Sequence, residues 1–149
     1  MIDVKLIIDS EGRFDISFTE GDFTLEDGFD TALYVSLFTD ARAPANLVPV
    51  PEHRRGWMGD IVSPVEGRSL GGLLWLVDQR RLTQDTLNDS VSYARKSVKW
   101  FVEDKWLNGI DVSGIIVPRS GIRLFVVPTA LNGQVETTRT LDLWKLTGN

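Results

Sequence analysis

The sequence predicts an α+β fold: an N-terminal β-hairpin, a short helix, a long Pro/Gly loop, and one long amphipathic helix packed on a mostly antiparallel sheet with C-terminal strands. Three observations predict it. Apolar residues alternate with period two near both ends of the chain. A single long stripe of apolar residues, spaced by three and four, occupies residues 83–107. Between them, residues 40–72 hold four of the six prolines and five of the thirteen glycines, and no period persists there.

Taken in order, Val4, Leu6 and Ile8 alternate, and Phe14, Ile16 and Phe18 do so again after the turn residues 9–12. Residues 1–25 therefore read as a hairpin with one buried face. "EGDFTLEDG" reads as a turn. A helix is expected over 27–39, with Phe29, Leu33 and Leu37 on one face and Asp27 and Asp30 at its positive N-terminal end. The loop 40–72 is too long to be a bare connection and is expected to be functional. Leu47, Val48, Val50, Trp57, Met58, Ile61 and Val62 are available to pin it to the body.

Residues 73–80 form a short apolar segment, read as helical. Thr83 then offers an N-cap, with Leu82 before it and Leu87 four positions beyond, the pattern of a hydrophobic staple. Leu87, Val91, Ala94, Val98 and Phe101 continue the stripe, and Val102 and Trp106 extend it, Trp106 as core. Asn108 and Gly109 are the expected stop. A helix over 83–107 would be about 37 Å long at 1.5 Å per residue. Residues 110–117, 122–127 and 134–144 read as strands. In the last, Val135, Thr137, Arg139, Leu141 and Leu143 share a face, opposite Trp144. A chain of 149 residues suits one domain over 1–149, divided as 1–25, 27–39, 40–72, 73–107 and 110–144.

Composition narrows the function classes. The net charge is −5 and the charges read as interspersed, which disfavours nucleic acid as a partner. No apolar run approaches the ~20 residues of a membrane helix, and the N-terminus shows no secretory pattern. With no cysteine and one histidine, thiolate chemistry is absent and a zinc site would lack ligands. No cofactor is expected: "GRSLGG" lacks the lysine and spacing of a phosphate-binding loop, and there is no nucleophile elbow.

The densest set of chemically able side chains is "HRRGWMGD", residues 53–60. Two readings compete. In the first, Arg54 and Arg55 donate to loop carbonyls that lack a ladder, Gly56 and Gly59 allow tight turns around Trp57, and Asp60 completes the lock. In the second, Glu52 or Glu66 pairs with Asp60 as the carboxylates of a glycosidase, with Trp57 stacking on a sugar. Adjacent arginines lower a carboxylate's pKa, which is wrong for a general acid, so the first reading is preferred. Trp144, near the chain end, is a candidate interface anchor.

"EGDFTLEDGFDTALYVSLFTDARA", "RRGWMGD" and "LLWLVDQRRLTQDTLNDSVSYARKSVKWFVED" together resemble the small baseplate-wedge protein of Mu-like contractile-tailed phages over residues 20–107. That group is similar to the lysozyme-like small wedge subunit of T-even phages. The resemblance implies a non-enzymatic virion subunit of the inner baseplate, made in the host cytoplasm. Its implied partners are larger wedge subunits, the tail sheath protein, and tube or spike-hub proteins, with no nucleic acid and no membrane. It also implies a sheet edge that helps start the sheath. A muramidase-like peptidoglycan hydrolase of the tail is the alternative.

Overall fold

The computed structural model describes residues 3–9, 11, 13–62 and 66–143; Trp144 lies outside the described residues. The N-terminus is not one hairpin but three short antiparallel ribbons. β1 (Asp3–Val4) pairs with β6 (Leu25–Glu26), β2 (Leu6–Ile8) with β3 (Phe14–Ile16), and β4 (Phe18–Thr19) with β5 (Asp22–Phe23). They meet in a ring of three backbone hydrogen bonds: Lys5 N–H to Thr24 O (2.8 Å), Thr24 N–H to Ser17 O (2.8 Å) and Ser17 N–H to Lys5 O (3.0 Å). The segment expected to be a turn thus contains strands. Its hairpin loop is Glu20 and Gly21, with φ of 54° and 88°, the two positive values that a type I′ turn requires. At the β2–β3 turn, Asp9 Oδ1 accepts the N–H groups of Glu11 and Arg13. Those bonds and the Arg13 side chain hold its carboxyl below the usual carboxylate range.

The expected buried face of the hairpin is only partly buried. Phe14 packs against Tyr34 and Phe38, with ring centroids 5.7 and 5.3 Å apart, but Ile16, Phe18, Phe23 and Leu25 stay exposed. The aromatic residues of the following helix, Tyr34 and Phe38, meet the β2–β3 arm at Phe14. That helix, α1 (Phe29–Phe38), is slightly shorter than expected. Gly28 precedes it at φ 84°, and Asp27 Oδ1 accepts the Phe29 N–H. It buries Leu33, Ser36 and Leu37. Thr31 ties it to the ribbons: its N–H donates to Glu26 Oε1 (2.8 Å) and its hydroxyl accepts from the Leu6 N–H (3.3 Å).

After the long loop, a short 3-10 turn at Leu74–Val77 buries Leu74 and Val77. Helix α2 (Gln84–Val98) begins where the cap signal places it: Thr83 Oγ1 accepts the Thr86 N–H at 3.2 Å. The helical path continues through Lys99, at φ −57° and ψ −33°, into α3 (Trp100–Glu103). The helical run ends at Glu103, short of the expected residue 107, and Gly109 belongs to a strand. The stop is a Schellman arrangement: Lys105 sits at φ 59°, its N–H bonds Val102 O, and the Trp106 N–H bonds Phe101 O. A lysine in glycine's usual place gave no composition signal. The buried stripe is also rotated from the expected one, running through Leu87, Ser90, Tyr93, Ala94, Ser97, Val98 and Phe101. Val91 is only partly buried, and Val102 and Trp106 are exposed rather than core. Ser90 and Ser97 are satisfied within the helix, donating to Thr86 O and Tyr93 O.

The helix packs on an antiparallel sheet in the order β7 (Gly109–Val117), β8 (Gly121–Thr129), β9 (Arg139–Leu143). Val112, Ile122, Leu124, Val126, Leu141 and Leu143 form its inner face and the centre of the core. Gly114 lets α2 approach: a Cβ there would stand 3.1 Å from Leu87 Cδ1 and 3.0 Å from Leu124 Cδ2. The last strand begins at Arg139, not 134. Residues 134–138 contribute only a bridge between Thr129 and Val135, and Val135 is exposed. Arg139 Nε pairs with Asp30 Oδ1 at 2.7 Å, which fixes β9 against α1.

Candidate functional site

The loop 40–72 is closed at its base. The Ala41 N–H bonds Gly72 O (3.0 Å) and the Gly72 N–H bonds Thr39 O (2.9 Å), so 40 and 72 form a parallel bridge. Two glycines make this possible. Gly71 stands at φ 91°, and a Cβ there would overlap the Thr39 carbonyl oxygen. At Gly72 it would overlap Ser97 Oγ on α2. Sequence reasoning passed over this pair. A double glycine between a long loop and an apolar segment was the signal available.

Within the loop, guanidinium groups replace a backbone ladder. Arg54 donates from Nε to Val48 O (2.8 Å) and from Nη2 to Pro49 O (3.0 Å). Arg42, which the sequence did not single out, donates to Arg55 O (3.2 Å) and Pro51 O (3.3 Å). The Ala43 N–H adds a tie to Arg54 O at 2.8 Å. Arg55 does something else than bind carbonyls. At φ 52°, it pairs with Asp40 (2.8 Å) and lies 4.6 Å over the Trp75 ring, whose Nε1–H donates to Ala41 O. That ion pair is largely exposed and contributes little by itself. The loop carbonyls therefore depend on Arg54 and Arg42. Arg54→Ala is expected to cost about 1–2 kcal/mol, the range for stranding partly buried acceptors, against about 1 or less for Arg55→Ala. Thermal melts of the two variants check the order.

Gly56 and Gly59 are close-approach glycines. Gly56 has φ 118° and its missing Cβ faces Arg42, while the Trp57 ring covers Gly59. Asp60 Oδ1 accepts the Leu70 N–H at 2.9 Å, clamping the far side of the loop. Beyond these ties, the 3-10 turn Met58–Val62 projects outward. Met58, Ile61 and Val62 are 80, 84 and 81% exposed and Trp57 is half exposed. Here the expectation that these side chains pin the loop to the body fails. Polar ties do the pinning, and they hold the apolar residues out.

Behind this turn runs a groove of about 960 Å³ between the loop and the helices, lined by Trp57, Asp60, Glu66, Arg68, Lys96 and Trp100 among others. It brings Asp60 and Glu66 together with Trp57; Glu52 is not on its wall. Trp100 is fixed there by its Nε1–H donating to Ser36 Oγ (2.9 Å). Among the described residues, no three His, Asp or Glu side chains converge so as to hold a metal ion, and no helix is long and apolar enough to cross a membrane.

Arg68 closes the groove's rim with a bidentate pair to Asp104, 2.7 and 2.6 Å, joining the loop to the end of α3. The Arg68 hydrogen bonds hold the Asp104 carboxyl below its ordinary 3.8. A lowered carboxylate pKa contributes stability that is complete above the unfolded value and lost as pH falls through the folded one. Below about pH 4, amide exchange at residues 66–72, corrected for intrinsic rates, is expected to accelerate. Arg68→Ala should abolish that step.

The family model for phage protein GP46 matches residues 29–139. The chain belongs to this family. Its curated relatives include the baseplate protein gp46 of Escherichia phage Mu, 31% identical over 131 residues that cover 87% of this chain and 88% of that protein. The Mu-like prophage FluMu protein gp46 of Haemophilus influenzae is 26% identical over 135 residues, covering 91% and 93%. The resemblance to a Mu-like baseplate protein drawn from the three sequence segments therefore holds. The match region of this GP46-family chain contains α1, the whole loop, α2 and most of the C-terminal sheet.

Proposed function

We propose that this GP46-family chain is a structural subunit of a phage tail baseplate, part of the virion, and not an enzyme. The observation that carries the reading is the turn Met58–Val62: exposed apolar side chains held out by a network that includes Arg54, Arg42 and Asp60. Exposed apolar clusters on rigid supports mark interfaces. The likeness to the Mu baseplate protein supports the same reading.

At finer grain, we propose that Trp57 and the turn after it seat against larger wedge subunits in the inner wedge, with Arg54, Arg55 and Gly56 shaping the loop. The C-terminal sheet would serve the tube or sheath junction and help start the sheath. Its edge strands differ. Arg95 Nε donates to Val112 O on β7 at 3.0 Å, which obstructs strand addition there, so β9 is the edge offered. Ring symmetry would multiply each modest contact.

The groove containing Asp60, Glu66 and Trp57 is what a muramidase-like reading would use. In the structural reading, Asp60 serves the Leu70 N–H, and peptidoglycan turnover is expected from neither the natural chain nor Asp60→Asn. Turnover lost on Asp60→Asn with folding intact would favour the enzyme. Mass spectrometry of purified tails tests the structural reading directly: the chain is expected at fixed stoichiometry with the other baseplate proteins. Its absence from sheathed tails would overturn the proposal.

A further inference from the structure

The N-terminal ribbons carry a second surface, separate from the loop. Register and alternation place Val4, Leu6, Ile8, Phe14, Ile16, Phe18, Phe23 and Leu25 on one face. Phe14 is met by α1, but Phe18, Phe23 and Leu25 are 61, 50 and 59% exposed. The Phe18 and Phe23 rings lie side by side across β4–β5, 5.1 Å apart. Ribbons of two strands are marginal without a covered face.

The charges are segregated along the chain, not interspersed. Residues 1–26 contain seven acidic and two basic side chains, while residues 27–149 contain fourteen of each. The whole net charge of −5 therefore sits on the segment that presents this apolar face. Glu20, in the turn of β4–β5, and Asp22 beside it are exposed at its tip, while Asp15 is exposed on the opposite face of β3. A second copy of the chain would bring one −5 surface against another, and a nucleic acid would add phosphates to carboxylates. Charge complementarity selects a different occupant.

We propose that the ribbon face around Phe18, Phe23 and Leu25 docks a different protein, through a surface with an apolar centre and a lysine- and arginine-rich rim. This rests on the baseplate reading only for where the partner is sought. The test places the photo-crosslinking residue benzoylphenylalanine at position 18 of the full chain and irradiates purified tails. The expected product joins this chain to another tail protein within a segment carrying excess Lys and Arg. Glu20→Lys with Asp22→Lys should cut that product at least tenfold while far-UV circular dichroism and Tm stay unchanged, and raised salt should weaken it. The inference is overturned by a crosslink to a second copy, by one to an acidic segment, by a yield indifferent to the charge reversal, or by no product although the chain is in the tail. A chain missing from the tail overturns the baseplate reading as well, so the two failures are distinguishable.

Discussion

Phe101→Ala is expected to cost about 3–5 kcal/mol, the range for emptying a fully buried aromatic site. Phe101 has no exposed surface. Its ring stacks on Trp100 at 4.0 Å, meets Phe29 of α1 at 5.2 Å and faces the edge of Trp106 at 6.5 Å. Its carbonyl also accepts the N–H groups of Trp106 and Leu107 that end the helix. Truncation leaves a cavity where the first helix, the helix end and the approach to β7 converge. In a chain of this size the loss corresponds to a fall in Tm of ~10 °C or more. Trp106→Ala, although it removes a larger ring, should cost far less because that residue is 40% exposed. Chemical denaturation of both variants checks the order, and equal losses would mean that the helix end is not organised around Phe101.

Gly71→Ala is expected to cost about 2–4 kcal/mol. Two penalties coincide. The backbone sits at φ 91°, where a side chain is strained, and the new methyl would overlap the Thr39 carbonyl oxygen, which is backbone and yields little. Relief requires opening the base of the loop, which breaks the Gly72–Thr39 and Ala41–Gly72 hydrogen bonds. Gly67→Ala separates the penalties. Its φ is 75°, yet nothing lies within 4 Å of the added carbon, so only the conformational part of about 1 kcal/mol remains. Denaturation midpoints give the two costs, and proteolysis of the loop should accelerate in the Gly71 variant alone.

Much of the fold was readable where local rules decide it. The Thr83 cap, the run of apolar residues from Leu87 and the first two strands of the sheet depend on neighbours within a few positions. The misses required distant partners. Nothing local says that Lys5, Ser17 and Thr24 close a ring, or that a lysine rather than the Asn-Gly pair ends the helix. Residues 134–138 alternate as a strand should, but only from Arg139 do they lie in register with β8. The site shows the same division. Glycine, arginine and tryptophan crowded into eight residues gave away a locked loop. Arg42 and the Gly71–Gly72 clasp act across the loop's neck, where only the folded chain brings them together.

The central claim is that this loop holds protein against protein. A reconstruction of the intact tail baseplate by electron cryomicroscopy tests it most directly. The account predicts Met58, Ile61 and Val62 buried against a different subunit, with the loop backbone as described. Those side chains bare to solvent in the assembled particle, with the adjoining groove gripping a glycan, would contradict it.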